Sequence, residues 1–357
     1  MRTISVINQK GGCGKTTVSI NLAAAFVEFG KRVLLVDMDP QSHASLGLNI
    51  LTEDADYTSY DLLVNPRIKV VDATISVDER FDIVASSPVL SAVEQELSGM
   101  PARESRLLSK ISRLTEEYDY LIIDSPPNVG LLTFNALLAA SEVIIPIDPS
   151  FFSVQGLQKL METLQLLESE MRHKVTLHVL VNNIEKRTTF CRDIVSELER
   201  DHGSVLMDSV ISHSVRYKEA ALRGVPIFSM KGVDRLKREF LSLAEEVENK
   251  VSLLVMEDID DWMVRLHGPH IIEKGVLFFL DAPTAHTVYI TGEFTNWSRD
   301  GIPLEKDNDD GLWKVTLQLE QGEYEYRYIV DGVWIKDPVN ADTVLNEFGQ
   351  ENSLLIV

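Results

Sequence analysis

Residues 3–30 read TISVINQKGGCGKTTVSINLAAAFVEFG, and this stretch decides the fold. TISVIN is a short run rich in β-branched residues, whereas Ile20, Ala23, Ala24 and Val27 recur at helical spacing. Between strand and helix lies QKGGCGKTT, residues 9–17. A glycine-rich turn placed there lets backbone N–H groups converge on oxyanions. The start of the helix adds its dipole, and Lys15 supplies a point charge. The pattern implies a nucleoside triphosphate cradle formed by Gly11, Gly12, Cys13, Gly14, Lys15, Thr16 and Thr17, with the Thr16 hydroxyl offered to Mg²⁺.

Outward from the loop, the runs RVLLVD, FDIVAS, YLIID, VIIPID and HVLVN alternate with helical stretches up to about residue 250. Runs that are apolar on both faces argue for a mostly parallel sheet covered by helices on both sides. KRVLLVDMDPQ ends one such run with Asp37 and Asp39, which period two places on one face, at the strand end where open α/β sheets bind ligands.

The tail is built differently. All four tryptophans, Trp262, Trp297, Trp313 and Trp334, lie beyond residue 261, and residues 251–357 hold 7 basic against 20 acidic residues. The shift in composition and pattern divides the chain into an α/β domain over 1–250, an acidic linker over 251–270 containing MEDIDD, and an all-β domain over 271–357. In WKVTLQLE, Trp313, Val315, Leu317 and Leu319 alternate with polar residues. In YEYRYIV, Tyr324, Tyr326, Tyr328 and Val330 do the same across a Gln321-Gly322 turn. That pattern predicts a hairpin, with Trp313 in the core.

The 357 residues are 45% hydrophobic and 25% charged, an ordinary globular composition. Lys and Arg total 34 against 55 Asp and Glu, a formal charge of −21, which disfavours a broadly basic nucleic-acid binder. Two cysteines, Cys13 and Cys191, make no disulfide framework, and a reducing cytoplasmic setting is expected. Neither a signal peptide nor an apolar run long enough to span a bilayer is present in the sequence.

One departure from the usual G-x-x-x-x-G-K-S/T loop is informative. The first glycine of that pattern falls at Gln9, and a second lysine, Lys10, precedes the double glycine. The sequence K-G-G-x-G-K-T-T resembles the deviant phosphate loop of the ParA/MinD family of partitioning and positioning ATPases. YLIIDSPPNVGLLTFNALLAAS resembles that family's Walker B strand, and HVLVNNIEKRTTF and VISHSVRYKEAALRGVPIF continue the likeness to its ParA branch, so that it covers 1–250.

The resemblance implies a P-loop ATPase using ATP and Mg²⁺, with slow, partner-stimulated turnover. It implies that Lys10 reaches across a homodimer interface to the partner's nucleotide, and that Asp39 positions the attacking water. Asp124 then reaches Mg²⁺ through water, Ser125-Pro126-Pro127 senses the nucleotide, and Asn182 contacts adenine; Asp37 is either a participant or a structural acceptor. Arg187 and Arg216 match arginines that contact DNA in relatives, although His213 stands where an arginine is common. DNA and a ParB-like activator are the partners in the competing view, in which the tail is only a protein-interaction module. A membrane-docking helix of the MinD type is not expected, because the chain closes on the strand-like ENSLLIV, and the cluster-ligating cysteines of the nitrogenase-reductase relatives are missing.

The tail resembles the glycogen-binding module of the AMP-activated kinase beta subunit, carbohydrate-binding module family 48. It shares the GEFTNWS turn, L-x-x-G-x-Y, Y-x-V-D-G-x-W and a closing G-x-x-N-S. This implies an immunoglobulin-like sandwich that binds α-glucan, with Trp297 and Trp334 as stacking platforms and Arg327 and Asn352 as polar contacts. Phe348 occupies the position where the kinase module inserts a leucine.

Overall fold

The run around TISVIN forms β1 (Arg2–Val6), which lies inside an eight-stranded sheet. The structure is a computed structural model. It describes residues 1–112, 114, 117–128, 130–150, 157, 160–161, 164, 173–184, 198, 205–250, 269–272, 275–282, 284–306, 312–340, 342–346 and 348–357. Arg187, Cys191, Arg192, Trp262 and the linker residues 251–268 lie outside the described residues.

The other strands of this sheet are β2 (Val33–Asp37), β3 (Thr74–Asp78), β4 (Phe81–Val84), β5 (Tyr120–Asp124), β6 (Glu142–Ile147), β7 (Thr176–Ile184) and β8 (Leu206–Ser212). Their order is β3-β4-β2-β5-β1-β6-β7-β8, and every pairing is parallel except β3 with β4. All five residues of β2 and of β5 are buried, as strands covered on both faces must be. Helix α1 (Lys15–Glu28) packs on the sheet with Leu22 and Phe26 fully buried, and the Phe26 ring stacks on Tyr120 at 3.8 Å. The Asp234–Asn249 helix presents Leu236, Phe240, Leu243, Ala244 and Val247 to the same core, a single apolar stripe at helical spacing.

The chain divides into two units: Met1–Leu97 with Lys110–Leu254, and Ser98–Ser109 with Val255–Val357. Among the described residues, the first β-strand of the second unit starts at His270, the last residue of the stretch expected as linker. They are β9 (His270–Ile272), β10 (Gly275–Asp281), β11 (Val288–Gly292), β12 (Ile302–Pro303), β13 (Glu305–Lys306), β14 (Leu312–Leu317), β15 (Glu323–Val330), β16 (Val333–Ile335), β17 (Thr343–Leu345) and β18 (Glu351–Ile356). One sheet runs β13-β14-β10-β9. The other runs β12-β11-β15-β18-β17, with β16 also paired to β15, and all pairings are antiparallel.

The predicted hairpin does not form. β14 pairs with β10 and β13, whereas β15 pairs with β11, β16 and β18 in the opposite sheet. Both strands have the expected alternation, but their apolar faces meet across the sandwich: Trp313 comes from one sheet, Tyr326 and Tyr328 from the other. The turn at Gly322 pairs instead with Val357, through bonds of 3.2 and 2.9 Å. The Tyr328 hydroxyl donates to the carbonyl of Phe279 at 2.8 Å and accepts its N–H, stitching one sheet to the other.

Candidate functional site

The parallel register brings three strand ends together. Val6 lies opposite Asp124, and Asp124 opposite Asp37, so the loops that follow β1, β5 and β2 emerge side by side. Gly12 and Gly14 adopt φ of 78° and 89°, conformations open to glycine, and α1 starts directly at Lys15. A cavity of about 550 Å³ opens over this loop, lined on one side by Gly11, Gly12, Gly14, Lys15, Thr16 and Thr17. Asp39 and Pro127 join the lining, and Leu46, Tyr217, Ala220 and Val225 provide an apolar wall. A volume of this size suits a nucleotide.

Asp124 is fully buried and accepts two hydroxyl hydrogen bonds, from Thr16 at 2.8 Å and Ser19 at 2.9 Å. Burial raises its carboxyl above the usual range, and the neighbouring Asp37 adds to the rise, while the two hydroxyls and Lys15 oppose it. Asp37, also fully buried, is raised by burial as well and accepts from Ser45 N–H and Oγ and from Asp39 N–H. Through those bonds Asp37 acts as an acceptor that organises the segment carrying Asp39. Burial likewise pushes the Cys13 thiol up, which leaves it protonated and inert. The hydroxyl of Ser125 donates to the carbonyl of Val6 at 2.7 Å, tying the start of the Ser125-Pro126-Pro127 loop to β1.

Asn182 sits beneath the loop. Its amide donates to the carbonyl of Cys13 at 2.6 Å, and a Cβ on Gly14 would meet that amide nitrogen at 2.3 Å. Asn182 therefore braces the phosphate loop, a role that its place at the end of β7 did not disclose. The Lys10 Nζ lies 2.8 Å from both carboxylate oxygens of Asp148 and 3.0 Å from Ser150 Oγ. The register explains the contact, because β1 pairs with β6 and the residues beyond both strands stay adjacent; Asn8 donates to Pro146 O at 2.7 Å. Arg216 is committed as well, to Glu219 and to the carbonyl of Lys231.

On the β-unit, Trp297 and Trp334 come together, with ring centroids 6.4 Å apart and planes inclined by 20°. Asn296 and Trp297 both have positive φ, 50° and 54°, an uncommon pair in non-glycine residues. Arg327 donates to Gln350 Oε1 at 2.8 Å, and its second terminal nitrogen lies 3.5 Å from Trp334 O. Asn352 is buried, with its amide donating to Glu325 at 2.7 Å and its oxygen accepting from Asn346. Glu325 and Gln350 therefore stand beside the predicted polar residues. The alternation of YEYRYIV signals Glu325, which shares the outward face with Arg327.

Comparison with known proteins places the two units in families. Residues 1–177 match the family described as an AAA domain, and residues 281–357 match the glycogen recognition site of AMP-activated protein kinase. Over 249 residues the chain is 36% identical to the sporulation initiation inhibitor protein Soj of Bacillus subtilis, covering 69% of this chain and 98% of that protein. The chain belongs to the ParA/Soj family of P-loop ATPases. The chromosome partitioning protein ParA of Myxococcus xanthus is 34% identical over 248 residues, 69% of this chain and 87% of its own. Among solved structures, cobyrinic acid a,c-diamide synthase from Mycobacterium smegmatis, with bound ADP and magnesium, superposes with a TM-score of 0.59. It is 26% identical and covers 71% of this chain and 97% of its own. Among the described residues of this family member, no helix is long and apolar enough to cross a membrane.

Proposed function

We propose that this ParA-type ATPase is a dimerising switch that positions a cargo, and that its C-terminal module holds the dimer on an α-glucan such as glycogen. The observation that carries the switch is the division of labour between two lysines. Lys15 lines the cavity at the start of α1, whereas Lys10 is absent from that lining and its ammonium rests on Asp148 and Ser150, leaving it for a second role. The Trp297–Trp334 pair on a glycogen-recognition scaffold supports the glucan.

In the ATPase, backbone N–H groups of the 11–16 loop and the start of α1 hold the β- and γ-phosphates, and Lys15 offsets their charge. Thr16 and Asp124 are hard oxygen donors already in contact with each other, a set that fits magnesium through the Thr16 hydroxyl and a water on Asp124. When bound, magnesium supplies charge neutralisation of the phosphate oxygens. Asp39 orients the attacking water, and Lys10 of one subunit faces the triphosphate of the other.

Two measurements test this. Asp39→Ala protein with saturating magnesium ATP should run as a dimer and return to a monomer when Lys10 is also changed to Ala; a monomer throughout would remove the switch. Full-length protein should pellet with glycogen, and Trp297→Ala/Trp334→Ala should stay in the supernatant; equal pelleting of the two would remove the glucan.

A further inference from the structure

Asp39 lies two residues beyond the end of β2, where no strand partner holds its backbone, yet its peptide is clamped on both sides. Its N–H donates to Asp37 Oδ1 at 3.1 Å, and its carbonyl accepts the hydroxyl of Ser86 at 2.7 Å. The other oxygen of Asp37 accepts the Ser45 hydroxyl at 2.7 Å, and Ser45 Oγ in turn accepts the N–H of Ser86 at 3.0 Å. These four bonds close a ring through Asp39, Asp37, Ser45 and Ser86, each of them buried.

Ser86 reaches this place through register. β2 and β4 are parallel with Val36 opposite Val84, so the residues just past both strand ends run side by side. We propose that Ser86 is a positioning residue for hydrolysis, fixing the backbone of Asp39 so that its carboxylate holds one direction toward the cavity. This rests on the reading of Asp39 as the group that orients water.

Protons in the ring are directional. Ser45 gives its hydroxyl hydrogen to Asp37 and accepts from a backbone N–H, while Ser86 gives its hydroxyl hydrogen to Asp39. The carbonyl of Asp39 also accepts the N–H of Ser42 at 2.8 Å, so deleting the Ser86 hydroxyl leaves no orphaned buried carbonyl. The variant therefore keeps the fold and loses only the Ser86 side of the clamp, opening the ring that ties Asp39 to the end of β4. Catalytic groups tolerate little displacement; a shift on the order of 1 Å costs about 100-fold in rate.

The test compares single-turnover ATP hydrolysis and magnesium ATP affinity in full-length protein. Ser86→Ala should lower the rate about tenfold or more while affinity stays within about twofold. On the residual rate of Asp39→Ala it should add nothing, because it acts through that residue. Ser86→Cys, which keeps the volume but donates poorly, should behave as Ser86→Ala does and serves if the alanine protein misfolds. Three results overturn the proposal. A wild-type rate in Ser86→Ala with Asp39→Ala inactive removes Ser86 and leaves the reading of Asp39 intact. A parallel fall of rate and affinity shows a merely structural serine. A wild-type rate in Asp39→Ala removes the reading of Asp39 itself.

Discussion

Lys10 and Asp148 form an ion pair within one subunit, with both carboxylate oxygens 2.8 Å from the lysine nitrogen. If Lys10 serves a second subunit's nucleotide, as proposed, Asp148 competes with that nucleotide's phosphates for the same charge. Both side chains keep about a third of their surface in water, at 36% and 27%, and such pairs are worth about 1 kcal/mol at most. Asp148→Ala should therefore promote dimerisation with magnesium ATP by about fivefold or less in protein concentration. Sedimentation on an Asp39→Ala background checks it, and weakened assembly would show that Asp148 serves the dimer instead.

A second prediction concerns Gly14. Its φ of 89° costs an L-residue about 1–2 kcal/mol, and a Cβ would lie 2.3 Å from the amide nitrogen of Asn182. Gly14→Ala should weaken ATP-analogue binding by about tenfold or more. Removing the amide in Gly14→Ala/Asn182→Ala relieves the clash and should recover part of that loss, measured by titration with a fluorescent nucleotide.

The phosphate loop was legible because all its determinants lie within one strand, one turn and one helix start. The parallel sheet was legible from runs apolar on both faces. Contacts set by register were not: Lys10 meets Asp148 from 138 residues away, and Ser86 meets Asp39 from 47, and neither serine nor aspartate past a strand end signals more than a turn. The failed hairpin has the same origin. Period two tells which residues face the core but not which sheet a strand joins, so Trp313 and Tyr326 were placed inward correctly and their strands paired wrongly.

At the opposite end of the sheet, Glu142 is buried and takes two bonds of 2.7 Å from Arg2 and one of 3.0 Å from His178. Arg2 also donates to the carbonyl of Val247, holding the last turn of the Asp234–Asn249 helix. Glu142→Gln leaves Arg2 without its counter-ion and should destabilise the ATPase unit by about 3 kcal/mol, read by denaturant unfolding.

The same carboxylate sets a pH dependence. Burial alone would raise the Glu142 carboxyl, but the bonds from His178 and Arg2 and their charges outweigh it and hold it below the usual range. A carboxyl lower in the folded than in the unfolded chain contributes stability above its unfolded value, near 4.5. That contribution is lost as pH falls through the folded one. Wild type should therefore lose stability on acidification below that value more steeply than Glu142→Gln does; superimposable acid-unfolding profiles would refute the assignment.

The last prediction separates platform from brace on the β-unit. Arg327 bridges Gln350 to the backbone of Trp334, so its planar guanidinium fixes the strand that carries one of the two rings. A lysine keeps the charge but has a single nitrogen and cannot span both groups. If Arg327 acts by holding Trp334, Arg327→Lys should weaken maltoheptaose binding about as much as Arg327→Ala, roughly three- to tenfold for one or two lost hydrogen bonds. If it acts as a charge or a direct hydroxyl contact, lysine should rescue. Intrinsic tryptophan fluorescence, read on a Trp262→Phe/Trp313→Phe background so that only the Trp297–Trp334 pair emits, should shift in both variants even without sugar under the first account and in neither under the second.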